Sequence, residues 1–132
     1  MSGRHAPDTN LVVRLLVDDD PAQTGVARRY FSERPLYFPV TVLLETEWVL
    51  RAVYGHERKR IVMALRMMIR LANAATEDED KVLSALAHYE QGFDFADALH
   101  LSRLPADTSF ASFDRSLVKR AQKAGLSAEV PQ

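Results

Sequence analysis

The sequence predicts an α/β domain with a mostly parallel sheet, and three observations point there. Short apolar segments (Leu36-Tyr37-Phe38, Ser109 to Phe113, Leu126 to Val130) alternate with longer stretches whose apolar residues recur at helical spacing. Proline and glycine punctuate the chain where such elements should start and stop, as at Pro21, Gly55 and Gly92. Finally, 132 residues with 47% hydrophobic and 27% charged side chains fit one compact domain spanning residues 1–132. In such sheets, ligands bind beyond the carboxyl ends of the strands.

Each element has a local reason. Leu11 to Val17 is apolar except for Arg14, and Thr9 stands where an N-cap belongs. Pro21 suits the first turn of a second helix that runs to about Arg34. Leu36 to Phe38 is a strand ending at Pro39. Thr41 to Tyr54 is a helix stopped by Gly55, and Arg58 to Asn73 is another. The latter places Ile61, Leu65, Met68 and Ala72 on one stripe, widened by Val62, Met63 and Ile69. Thr76 and Glu79 have the spacing of a capping box, and the acids from Glu77 to Asp80 suit the positive end of the following helix, which runs to Gly92. Asp94 opens a short helix to about Arg103. Ser109 to Phe113 is a strand, Asp114 to Ala124 a helix, and Leu126 to Val130 a last strand.

Composition excludes several function classes. With no cysteine, thiolate metal sites, disulfides and cysteine nucleophiles are ruled out, which suits a cytoplasmic location. Every apolar run is broken by charge well short of the roughly 18 residues a membrane span needs. The net charge of −1 hides an uneven distribution. Arg51, Arg58, Lys59, Arg60, Arg66 and Arg70 face a single acid, Glu57, within that stretch, and Arg115, Lys119, Arg120 and Lys123 follow Asp114. A basic rim around an acidic centre is compatible with such a balance.

The acids divide by whether ordinary helix chemistry explains them. Glu47, four residues before Arg51, reads as a surface ion pair. Glu45 has Val42, Trp48 and Val49 as helical neighbours, and a carboxylate in an apolar stripe is costly unless paired or bound to metal. Asp97 is flanked by Ala96, Ala98 and Leu99 with no cation beside it. Asp94 suits an N-cap. Asp114 also suits one, yet it follows a strand, where ligands are expected; Asp8 sits at a similar corner. Carboxylates converging at one sheet end would raise each other's pKa, a repulsion that a hard, oxygen-seeking divalent cation relieves. Such an ion lowers the pKa of bound water and stabilises charge on phosphorus, which points to phosphodiester hydrolysis. The four histidines (His5, His56, His88 and His100) show no metal-binding spacing, and only His100, three residues after Asp97, could share that cleft.

Taken in order, these segments resemble the PIN-domain ribonucleases, and among them the VapC toxins of toxin–antitoxin pairs. The carriers are Asp8-Thr9-Asn10-Leu11-Val12-Val13-Arg14-Leu15-Leu16, Val42-Leu43-Leu44-Glu45 with Trp48-Val49-Leu50-Arg51, Phe93 to Leu101, and Ser112-Phe113-Asp114. The resemblance implies a three-layer α/β/α fold with Asp8, Glu45 and Asp97 as metal ligands and Asp114 as a fourth. It adds Asp94 as an accompanying acid, and Asn10 and Ser112 as residues that orient the site. It further implies Mg²⁺ or Mn²⁺, an RNA substrate, a homodimer, and inhibition by a VapB-type antitoxin, for which the groove near the acids and the helices between Thr41 and Asn73 are candidate surfaces.

One segment departs from the family pattern. Members carry an apolar central strand before the first aspartate, whereas residues 1–7 read Met-Ser-Gly-Arg-His-Ala-Pro. Pro7 cannot donate a ladder hydrogen bond, so either this N-terminus is atypical or the first strand is poorly formed, and Asp8 becomes the least fixed corner. A catalytically weakened domain that survives as an antitoxin-binding module is the alternative function. A receiver domain, suggested by Leu11 to Pro21, fails because no aspartate occurs between Asp20 and Asp78 to accept a phosphoryl group.

Overall fold

The computed structural model describes residues 3–132, so the first two residues of the atypical N-terminal segment lie outside it. In chain order the elements are α1 (Thr9–Leu16), α2 (Pro21–Glu33), β1 (Leu36–Phe38), α3 (Val40–Ala52), α4 (Arg58–Ile69), β2 (Ala74–Thr76), α5 (Glu79–Glu90), α6 (Phe95–Ser102), β3 (Phe110–Ala111), α7 (Arg115–Lys123) and β4 (Ala128–Glu129). All the pairing is parallel. β1 pairs with β2 with Leu36 opposite Ala74, and β3 pairs with β4 with Phe110 opposite Ala128. Each pair is joined through helices, α3 and α4 in one case and α7 in the other, as parallel pairing requires. The result is the helix-rich α/β fold expected, consistent with three α/β/α layers.

Among the described residues the two ladders remain separate. The segment before Asp8 contributes one parallel bridge, His5 to Leu36, made by His5 N–H to the Pro35 carbonyl at 2.9 Å and Tyr37 N–H to the His5 carbonyl at 2.9 Å. Pairing stops there. Pro7 is buried but has no N–H to give, as its ring chemistry predicts.

The core joins strands and helices through Phe31, Leu36, Phe38, Leu43, Leu50, Ile61, Leu65, Leu86 and Tyr89. On α4, Ile61, Val62, Leu65, Met68 and Ile69 face inward as their spacing requires. Met63 does not: it is 64% exposed, and the helix ends at Ile69, leaving Ala72 beyond it. Asn73 ties the end of this unit to α2, its side-chain amide donating to the Phe31 and Arg34 carbonyls at 2.6 and 2.7 Å.

Four local expectations are corrected. Thr9 does not cap α1; Asp8 does, accepting from Leu11 N–H at 2.9 Å. The capping box at Thr76 does not form, because the Thr76 hydroxyl donates to the Phe38 carbonyl at 2.6 Å within β2, and α5 starts at Glu79 after a left-handed Asp78. Glu77 instead pairs with Arg103. Ala74 to Thr76 is a strand with no strand-like apolar signal; its parallel register with β1 creates it.

Candidate active site

Local capping places three of the acids at helix starts. Asp8, Asp94 and Asp114 each accept a backbone N–H three residues on, from Leu11 at 2.9 Å, Asp97 at 3.1 Å and Leu117 at 3.0 Å. Capping uses one lone pair of one oxygen and leaves the remaining acceptor capacity open. These residues therefore serve structure and still offer oxygens outward. Ser112 sits behind the last of them, its Oγ accepting Asp114 N–H at 3.0 Å.

Glu45 and Asp97 have no capping role. Glu45 lies on the second turn of α3, and the Thr9 hydroxyl donates to its carboxylate, fastening α3 to the start of α1. The apolar stripe around it is not buried: Glu45 is exposed and Trp48 is 53% exposed. Asp97 is half-buried on α6. Burial first, then the neighbouring Asp94 and Asp114, push its pKa above the ordinary carboxylate value, while His100 pulls it the other way. Burial is the larger cause, and the two neighbouring carboxylates add to it. His100 itself stacks on Phe110, with ring centres 6.1 Å apart and planes within 13°.

The acids lie along three adjoining clefts rather than in one cage. The first cleft holds Asp8, Asn10 and Glu45, with Arg14 and Tyr54 on its wall. The second holds Glu45, Trp48, Arg51 and Asp94. The third, about 330 Å³, holds Asp94, Asp97, Asp114 and Glu47 together with Arg51, Arg58 and Arg120. Glu45 joins the first to the second, and Asp94 joins the second to the third. Among the described residues no three of the His, Asp and Glu side chains are close enough to form a ready-made metal cage.

Sequence reasoning misjudged Glu47. Its pair with Arg51 forms at 2.7 Å, but the carboxylate is only 3% exposed and also accepts the Tyr89 hydroxyl at 2.8 Å. Burial and this contact push the Tyr89 phenol pKa well above its usual value, so the hydroxyl stays a donor. Two of the arginines ascribed to a basic rim are likewise consumed internally. Arg58 donates to the Tyr89 and Phe93 carbonyls at 2.7 and 2.6 Å, and Arg120 to the Gly92 carbonyl at 2.8 Å. They neutralise the carbonyl end of α5 and fix the turn that delivers Asp94. Only the i,i+4 spacing of Glu47 and Arg51 foreshadowed this network in the sequence.

The PIN domain family matches residues 6–127 of the chain. The chain belongs to this family. A PIN domain implies a nuclease-like fold, in general that of a metal-dependent ribonuclease, with RNA as the class of substrate. Neither a curated protein nor a solved structure matches the chain significantly. The PIN match begins inside the segment that fails to form a full strand, and it covers every acid discussed above. Among the described residues no helix is long and apolar enough to cross a membrane.

The donor set of this PIN domain fits a hard divalent cation. Four carboxylates, Glu47, Asp94, Asp97 and Asp114, line the third cleft, and oxygen donors of this kind suit a hard cation.

Proposed function

We propose that this PIN domain is a metal-dependent endoribonuclease of the VapC toxin type, acting in the cytoplasm as a homodimer under the control of a VapB-type antitoxin. The observation that carries the nuclease reading is the convergence of Asp94, Asp97 and Asp114 on one cleft, next to clefts that hold Glu45 and Asp8. Asp8, Glu45, Asp97 and Asp114 would hold Mg²⁺ or Mn²⁺, with Asp94 as a secondary acid beside them. The chemistry such an ion supplies when bound is Lewis acidity, which strengthens water as a nucleophile and offsets charge developing on the phosphoryl oxygens.

The chain's own residues prepare that ground. Asp94 fixes the first turn of α6 and thereby the position of Asp97. Thr9 holds Glu45 towards α1, and Asn10 lines the same cleft. Ser112 orients the backbone of Asp114. The toxin reading rests on the sequence resemblance, and exposed apolar side chains support a protein partner. Trp48 and Val53 on the α3 side and Met63 and Met67 on α4 are each more than half exposed, in the stretch expected to receive an antitoxin.

A second reading, a weakened domain that only binds its antitoxin, is favoured by the single bridge that replaces a full first strand beside Asp8. Digestion of a total RNA pool by purified protein separates the two. The enzyme reading predicts cleavage in Mn²⁺ or Mg²⁺, no cleavage in EDTA, and products without a 2′,3′-cyclic phosphate, since the nucleophile is water and not the ribose 2′-hydroxyl. Folded protein that leaves RNA intact in either metal would establish the binding module instead.

A further inference from the structure

The third cleft presents a difficulty for an RNA phosphate. Four carboxylates line it, and of its three guanidinium groups, those of Arg58 and Arg120 already donate to backbone carbonyls. Arg51 is different. Its Nε is anchored on the buried Glu47, which is held in turn by the Tyr89 hydroxyl. Its two terminal nitrogens make no hydrogen bond among the described residues, and the side chain is 47% exposed. It also lines both the second and the third clefts, so it stands between Glu45 on one side and Asp97 on the other. The charge of Asp94 reaches it.

We propose that Arg51 is a substrate-positioning residue whose terminal nitrogens bind a phosphate of the RNA backbone next to the acids. This rests on the nuclease reading above and adds to it a specific cation contributed by the chain. The physical argument is one of preorganisation. A guanidinium offers five donors in a fixed fork, and anchoring Nε on Glu47 fixes the plane while leaving the outer edge for a phosphate. The buried Glu47–Tyr89 pair removes the rotamer freedom that a surface arginine would lose on binding. Lysine at this position could not contact Glu47 and a phosphate with comparable geometry, since it ends in a single ammonium.

The test is fluorescence anisotropy with a labelled single-stranded RNA oligonucleotide, in Mg²⁺, over a series of salt concentrations. Asp97→Asn protein serves as the uncleaving parent. Adding Arg51→Gln should weaken binding about tenfold and reduce the slope of log affinity against log salt by about 0.7, the value for one lost phosphate contact on a single strand. Because Arg51→Gln removes a partner of a buried carboxylate, Arg51→Lys is measured beside it with urea unfolding of both. The lysine variant should unfold close to the parent's midpoint and still bind several-fold more weakly. Parent affinity and slope in either variant would overturn the role of Arg51 and leave the nuclease reading standing. Failure of the parent itself to bind RNA would overturn both.

Discussion

Asp97 is a carboxylate whose ionised form works against the stability of the fold. Its pKa is raised by burial and by the charges of Asp94 and Asp114. A carboxyl whose folded pKa exceeds its unfolded value binds protons more readily when folded, so its ionised form opposes folding above that range. Acidifying from neutrality through the folded pKa should therefore relieve the strain at this site. Asp97→Asn removes the charge and should stabilise the protein at neutral pH by about 0.5 kcal/mol, a modest figure because the group is only half-buried and screened by solvent. Urea unfolding of both proteins at neutral and mildly acidic pH checks this. The gain should shrink as the pH falls; a destabilised Asp97→Asn at neutral pH would mean that the carboxylate is satisfied by contacts within the fold. Glu47 shows the reverse case, a carboxylate fully buried and answered by Arg51 and Tyr89.

At the scale of elements, helix starts carry the site, and this divides what the sequence could reveal from what it could not. The caps at Asp94 and Asp114 and the strands around Phe38 and Phe110 follow from local rules, so their positions were legible, whereas the α1 cap fell one residue before the expected Thr9, at Asp8. Strand β2 was not legible, because Ala74-Ala75-Thr76 has no pattern of its own and forms only by pairing with β1. The burial of Glu47 was equally hidden, since it depends on Tyr89 from α5, 42 positions away in sequence. Double duty at a cap also makes a prediction. Asp114→Ala should cost about 1 kcal/mol by uncapping α7 and should slow cleavage, whereas Asp114→Asn should keep nearly all the stability and lose the same activity. Denaturant midpoints and cleavage rates of the two variants decide it. Equal activity in Asp114→Asn and the unmodified protein would reduce Asp114 to a cap.

Across the whole molecule, the parallel ladders and helices arrange acids from distant segments along connected clefts, although the described residues before Asp8 supply only one bridge. The clefts do not depend on a complete central strand, because Thr9 ties α1 to Glu45 directly and Arg58 and Arg120 fix the turn before Asp94. A site assembled from caps and side-chain ties can keep its acids in place with a shortened sheet. The central claim is that these acids perform metal-dependent hydrolysis. Its most direct test is the single-turnover cleavage rate of one RNA by the unmodified protein and by Asp97→Asn, prepared identically and titrated with Mn²⁺. Saturable, EDTA-sensitive cleavage that falls at least about a hundredfold in the variant, comparable to the loss of a principal electrostatic group, is the predicted result. Cleavage by Asp97→Asn at the unmodified rate, or cleavage indifferent to EDTA, would contradict it.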